Sequence, residues 1–422
     1  MIEITPAKPA SGEVEVPGSK SYTHRILIAA ALSDGVCEIV HPLNSEDTLL
    51  TVKGLRQMGV RMGDLNSATT VFGTRGRLRP SPDPIFLGNS GTSMRLLTGV
   101  AALGEGEYIL TGTPRMGQRP IQDLLDAMIL LNIEARALDN NGCPPVAVKG
   151  GLLKGGKTRI RCRISSQYLS SLLLIGPYTE TGLDISVIEG PVSKPYIDLT
   201  VGIMEQMGIT LSRQGYERFT IAGKQCYASG RYVVEPDCSQ AGYFWAAAAI
   251  TGTSVKVKRI TRQTRQGDVR FAEVLQRMGC NVQYDADGIT VTGKNLTAVE
   301  EDMSDMPDIV PTLAVTAAFA RGTTVIKNVA HLKAKESDRI QATVTELNKI
   351  GIHATALDDG LIIEGGTPHG AEIDTYDDHR MAMSFALVGL KVPGIFIQHE
   401  ACVEKSFPTF WGVLGKLCRK IP

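Results

Sequence analysis

Five stretches of the chain place apolar residues at helical spacing: LLTVKGLRQMGV, LLDAMILLNIEA, LTVGIMEQMGIT, FAEVLQRMGCNV and ATVTELNKIGIH. Each reads as an amphipathic helix that closes on a residue suited to left-handed backbone, the usual end of a helix. The closing residues are Gly59, Asn132, Gly208, Gly279 and Gly351, spaced by 73, 76, 71 and 72 positions. A short strand ending in glycine follows each one, as in TVFG, VAVKG, FTIAG, ITVTG and LIIEG. A sixth closing residue would fall at the C-terminus, where WGVLGKLCRKIP stops the unit short.

A second element keeps the same period: GSKSYTHRILIAAALSDG, GNSGTSMRLLTGVAALGEG, SSQYLSSLLLIGPYTETG, DCSQAGYFWAAAAITG, MPDIVPTLAVTAAFARG and DDHRMAMSFALVGLKVPG. Each opens on polar residues and continues as a helix of Ala, Leu and Gly with almost no charge, so it is expected to be buried on every side. Six units of one β-α-β-α-β-β type, three plus three, predict an α/β protein of two similar lobes, with a boundary near Glu235.

The polar ends of these buried helices are the unusual chemistry of the chain. The first N–H groups of a helix and the positive end of its dipole suit an anion. GSKSYTHR adds Lys20 and Arg25 to Ser19 and Ser21, GNSGTSMR adds Arg95, and SSQ supplies Ser165, Ser166 and Gln167. Ordinary N-caps explain any one of these hydroxyl groups, each worth about 1 kcal/mol. GNSGTSMR offers more oxygens than one cap uses, and Gly88 and Gly91 fit a backbone that approaches something closely.

Further cations gather in RMGQRP, residues 115–120, and in KESDR, residues 335–339, where Lys335 and Arg339 would repel at i, i+4 on a helix unless an anion lies between them. That stretch also reads as a solvated charged face. Asp377, Asp378, His379 and Arg380 open one buried helix, with the aspartates expected as caps. Asp308, three residues before Pro311, reads either as a cap or as a carboxylate able to accept a proton.

Charge narrows the partner. Forty-four Lys and Arg balance 44 Asp and Glu, which argues against nucleic acid or an anionic membrane surface and favours a small molecule. No run of 18 uncharged apolar residues and no signal-like N-terminus occurs, so a cytoplasmic protein is expected. The eight cysteines lack C-x-x-C or zinc spacing and read as reduced, mostly buried thiols. The absence of H-E-x-x-H, G-x-S-x-G, Walker A and strand-borne G-x-G-x-x-G implies no metal, no serine nucleophile and no nucleotide cofactor.

Taken in order, PGSKSYTHR, LGNSGTSMR, RMGQRPI, SSQYLSSLL, VSKPYIDLT, KESDR, DDHRMAM and KSFPTF resemble the motif set of the 3-phosphoshikimate 1-carboxyvinyltransferase (EPSP synthase) family, from Pro17 to Phe410. The resemblance implies the inside-out α/β barrel lobes of enolpyruvyl transferases. One lobe would span 17–234 and the other 1–16 plus 235–422, with the active site in the cleft between them. It implies transfer of the enolpyruvyl group of phosphoenolpyruvate to the 5-hydroxyl of shikimate 3-phosphate, without a cofactor, by a monomer open to inhibition by glyphosate.

Carried over residue by residue, shikimate 3-phosphate would meet Lys20, Ser21, Arg25, Ser165, Ser166, Gln167, Ser193, Tyr196, Asp308 and Lys335. Phosphoenolpyruvate would meet Lys20, Asn89, Gly91, Thr92, Arg119, Gln167, Arg339, Arg380 and Lys405. Asp308, Glu336 and Lys20 would be the catalytic groups. The chain departs from the family's usual residues at His331, Leu96 and Tyr22, where asparagine, proline and an aliphatic side chain are common. Two alternatives stand beside this reading: the sister enolpyruvyl transferase acting on UDP-N-acetylglucosamine, whose GAKN-like start differs from GSKS, and a non-enzymatic repeat-built binding protein.

Overall fold

The computed structural model describes residues 1–7 and 12–418. The chain forms two compact units, one of residues 18–234 and one of residues 1–17 with 235–422. The division falls after Pro17, one residue later than the sequence suggests, because the Pro17 carbonyl accepts from the backbone N–H of Asp237.

In the 18–234 unit three helices are buried almost throughout: Lys20–Leu32, Gly91–Ala101 and Gln167–Ile175. Their Ala, Gly and Ser positions let backbones come close. A Cβ on Gly99 would lie 2.3 Å from Ser171 Oγ, so a larger residue there would push two helices apart. Amphipathic helices Glu46–Gln57, Gln122–Ile129 and Pro195–Gln206 alternate with the buried ones. The other unit repeats the plan with buried helices Cys238–Thr251, Val310–Ala317 and His379–Gly389.

Among the described residues six small sheets accompany these helices, five of four strands and one of three. In a complete repeat the strand after the buried helix runs parallel to the repeat's first strand and antiparallel to its last. Thus Gly106–Thr111 pairs with Ile85–Phe86 on one side and Val146–Gly150 on the other. Two first strands change places. Gly12–Val14, which leads into the first buried helix, pairs with Ser254–Lys258, and Arg231–Val233, which leads into the fourth, pairs with Val36–Val40. Among the described residues the sixth sheet lacks a closing hairpin of its own. Ile2–Ile4 fills the vacant edge antiparallel to Ile395–Ile397, with Ile2 opposite Ile397.

The five expected closing residues all adopt left-handed backbone: φ is 88° at Gly59, 59° at Asn132, 84° at Gly208, 104° at Gly279 and 82° at Gly351. The sixth repeat runs into the Phe410–Cys418 helix, and the last four residues of the expected stop lie outside the described residues. All eight cysteines are free thiols, five of them buried. Among the described residues no helix is long and apolar enough to cross a membrane.

Candidate active site

In the 18–234 unit the polar helix ends form one connected set. Ser19 caps the first buried helix, which puts Lys20 in its first turn with Nζ 3.1 Å from Asp47 Oδ2. Both side chains are largely shielded, at 11% and 2% exposure. Asp47 lies in the first turn of the neighbouring amphipathic helix, and its carbonyl accepts from Ser93 Oγ. Ser93 in turn meets Ser90 Oγ and Thr51 Oγ1 at 2.7 Å each, and Thr51 meets His24 Nδ1 at 2.7 Å. This buried hydroxyl chain ties GNSGTSMR to the helix that carries Lys20.

GNSGTSMR itself starts the second buried helix. Ser90 is its N-cap, accepting from the Ser93 N–H. Gly88 is required first by its backbone, at φ 54°. Gly91 answers to a neighbour: a Cβ there would stand 2.5 Å from Nη2 of Arg119, whose Nη1 donates to the Asn89 carbonyl at 2.8 Å and to Asn89 Oδ1 at 3.0 Å. Gln167 lies beside this group, donating to Thr92 Oγ1 at 2.9 Å and accepting from Arg95 Nη1 at 2.9 Å. Arg95 also donates to the Pro120 carbonyl, so it fixes the third buried helix against the 115–120 loop.

Arg25 is fully buried. Its guanidinium donates to Thr200 Oγ1 at 2.7 Å, to the Ser21 carbonyl at 2.9 Å and to Ser170 Oγ at 3.4 Å, and burial lowers its pKa to about 10. Ser165 and Ser166 lie at the start of the third buried helix, with Ser165 Oγ accepting from the Gln167 N–H. Ser193 takes left-handed backbone at φ 55° just before the Pro195–Gln206 helix that carries Tyr196.

The other unit gathers carboxylates and guanidiniums. Asp308 accepts from Arg339 Nη1 at 3.0 Å and from Arg380 Nη2 at 2.6 Å. Arg339 also donates to Glu336 at 2.8 Å and, through Nε and Nη2, to both oxygens of Asp378 at 2.8 and 3.1 Å. These three carboxylates raise the Arg339 pKa against a strong burial penalty, so its charge is permanent. Arg380 reaches Ser239 Oγ at 3.1 Å and Tyr243 Oη at 3.4 Å. Asp378 also caps the sixth buried helix at the Arg380 N–H and accepts from Ser337 Oγ. Lys405, buried, ends the Glu400–Lys405 turn of the same unit.

Two expectations change. Lys335 and Arg339 do not share a helix, because a 3-10 turn ends at Ala334, Lys335 is extended and a new helix starts at Arg339 behind its cap Asp338. Their i, i+4 repulsion therefore does not arise. Nor does Asp308 cap the Val310–Ala317 helix; it sits in the preceding 3-10 turn, Ile309 takes the N-cap position, and the carboxylate turns to the two arginines. Asp47, Ser239 and Tyr243 were not singled out by sequence. Asp47 follows Ser45 and Glu46 as an unremarkable helix start, and only tertiary packing shows that it meets Lys20.

His331 is buried beside this group, and burial together with the Lys335 charge and the weaker Arg339 charge lowers its pKa to about 3 against the opposing pull of Asp308. The unfolded imidazole titrates near 6.5. A depressed folded pKa means full stability above about pH 6.5 and progressive loss as pH falls toward 3, at up to about 1.4 kcal/mol per pH unit. His331→Asn is accordingly expected to flatten the fall in denaturant midpoint between pH 6.5 and 4.5; an equally steep fall in both proteins would refute the assignment.

Known proteins resemble the chain over nearly its whole length. The family profile of EPSP synthase (3-phosphoshikimate 1-carboxyvinyltransferase) matches residues 4–414. The 3-phosphoshikimate 1-carboxyvinyltransferase of Syntrophobacter fumaroxidans is 43% identical over 417 residues, covering 98% of this chain and 99% of that protein. The protein of the same name from a Sulfurovum strain is 42% identical over 424 residues, covering 99% of each. A solved EPSP synthase structure from Acinetobacter baumannii superposes with a TM-score of 0.82 at 31% identity, covering 99% of this chain and 98% of that one.

Proposed function

Because the chain belongs to the EPSP synthase family, we infer that it is a 3-phosphoshikimate 1-carboxyvinyltransferase of the shikimate pathway. It moves the enolpyruvyl group of phosphoenolpyruvate onto the 5-hydroxyl of shikimate 3-phosphate and releases phosphate. The names of its relatives do not favour the UDP-N-acetylglucosamine alternative. The substrates are small phosphorylated anions. The protein acts as a cytoplasmic monomer, without nucleic acid or membrane as partner.

The observation that carries the division of labour is the carboxylate of Asp308 spanning Arg339 and Arg380. Both arginines serve phosphoenolpyruvate. When its anionic groups take their N–H donors, Asp308 is released from one or both and accepts the proton of the 5-hydroxyl as that oxygen attacks C2. C3 receives a proton from Glu336, Lys20 being the third catalytic group, and the tetrahedral phosphate ketal forms. Loss of that C3 proton and of the phosphate then regenerates the double bond. Fixed cations stabilise the charge of this intermediate without reorganising, the largest single term in many active sites.

In the other unit, Lys20, Arg119 and Gln167 hold phosphoenolpyruvate, with Asn89 and Thr92 beside its phosphate and Gly91 leaving room. Lys20, Ser21, Arg25, Ser165, Ser166, Gln167, Ser193 and Tyr196 hold shikimate 3-phosphate, joined by Lys335 and Asp308. The Arg25 cluster supports this, since a buried cation already oriented by two hydroxyls and a carbonyl loses little freedom on meeting a phosphate. Phosphate release on mixing the protein with both substrates tests the reaction. Release only with UDP-N-acetylglucosamine would transfer the chain to the sister activity.

Gly91→Ala would press a methyl group against the Arg119 guanidinium, which two bonds to Asn89 hold in place. The expected result is a KM for phosphoenolpyruvate raised roughly tenfold to a hundredfold, the scale of a 1 Å misplacement. Inhibition by glyphosate, which competes for the same subsite, should weaken as well. An unchanged KM and inhibition constant would remove Gly91 from that subsite.

A further inference from the structure

The unit of residues 1–17 and 235–422 contains a second basic region that the reaction does not use. A cavity of about 560 Å³ lies where its three buried helices end, lined by Ala249 and Ile250 from the first, Phe319 and Ala320 just past the second, and Lys391 just past the third. Lys294 and Arg321 complete a trio of cations on its wall, and among the described residues no carboxylate lines it. Among the described residues none of the three forms an ion pair, although 24 other contacts of that kind occur there, and Lys391 rests 5.2 Å from the centre of the Phe319 ring.

Cations at helix C-termini are ordinary, because each end carries about half a negative charge. Three ends supply roughly one and a half negative charges against three positive side chains, which leaves a surplus of roughly one and a half. Helix electrostatics therefore does not account for the whole cluster. The volume falls within the range of small-molecule sites, well above what one inorganic phosphate fills. Asn295, Thr297 and Thr367 add neutral hydrogen-bonding groups, and Phe319 adds an apolar surface.

We propose that this cavity binds an organic polyanion carrying at least two phosphate or carboxylate groups, at a site separate from the reacting groups. The charged ends of such a ligand meet Lys294, Arg321 and Lys391, and its carbon skeleton lies along Phe319. Because the three cations are exposed, the attraction is screened by salt.

Isothermal titration of the full chain at low ionic strength with inorganic pyrophosphate and, separately, citrate tests this. At least one probe should bind, and the better one identifies phosphate or carboxylate as the preferred group. Replacing all three cations, Lys294→Gln, Arg321→Gln and Lys391→Gln, should weaken that binding at least tenfold while kcat and both KM values stay within twofold. Lys20→Met, in the reaction site, should leave the same binding event in place. Should the triple variant melt early, Arg321→Gln alone should still weaken binding about threefold. Binding of neither probe, or titration of the charge-depleted protein like the parent, would overturn the proposal.

Discussion

Asp308→Ala is expected to lower kcat by about 10² to 10⁴-fold, the contribution of a positioned general base. The fold should survive. Arg339 keeps Asp378 and Glu336, and Arg380 keeps Ser239 and Tyr243, so neither guanidinium is left without a neighbour. The stability lost should be about 1.5–3 kcal/mol, as for hydrogen bonds to charged groups. Shikimate 3-phosphate should bind within a few-fold of the parent affinity by titration calorimetry. Asp308→Asn sharpens the result, since it keeps the volume and removes the basic oxygen. Turnover within tenfold of the parent in either variant would take the proton-acceptor role away from Asp308.

Lys20→Met should reduce kcat/KM by about 10² to 10³-fold, the loss seen when one fixed donor to a developing anion is removed. It should also destabilise, because Asp47 is only 2% exposed and loses the ammonium 3.1 Å away. About 1.5–3 kcal/mol is at stake, which for a unit of this size lowers the melting temperature by several degrees. Lys20→Met with Asp47→Asn separates the two effects. The double variant should regain most of the melting temperature and none of the activity. Recovery of activity together with stability would mean that Lys20 acts on the fold alone.

Much of this architecture is legible in the chain. The five closing residues were readable because left-handed backbone restricts the choice to Gly and, at 132, Asn. The buried helices were readable because Ala, Leu and Gly without charge have no place at a surface. Other features depend on partners far away in sequence. Asp47 looks like any acidic residue in a first helical turn until Lys20 is placed beside it. Asp378 was read as a cap, which it is, yet the same carboxylate grips Arg339, a residue 39 positions earlier. Asp308 was read as a cap or a base, and the cap reading fails because Asp308 lies inside the preceding 3-10 turn, Ile309 holds the N-cap position and the carboxylate accepts from Arg339 and Arg380. The break at Lys335 was hidden because KESDR carries no Gly or Pro to mark it.

The strand Ile2–Ile4 also sets a timetable for synthesis. Its partner Ile395–Ile397 leaves the ribosome nearly four hundred residues later, and Gly12–Val14 waits for Ser254–Lys258. At about 5–20 residues per second, the first three-residue strand stays without its neighbour for roughly 20 to 80 seconds. The 18–234 unit, by contrast, holds all its own strands once Arg231–Val233 has emerged. Vectorial synthesis therefore favours an intermediate with that unit folded and the N-terminal segment still unpaired.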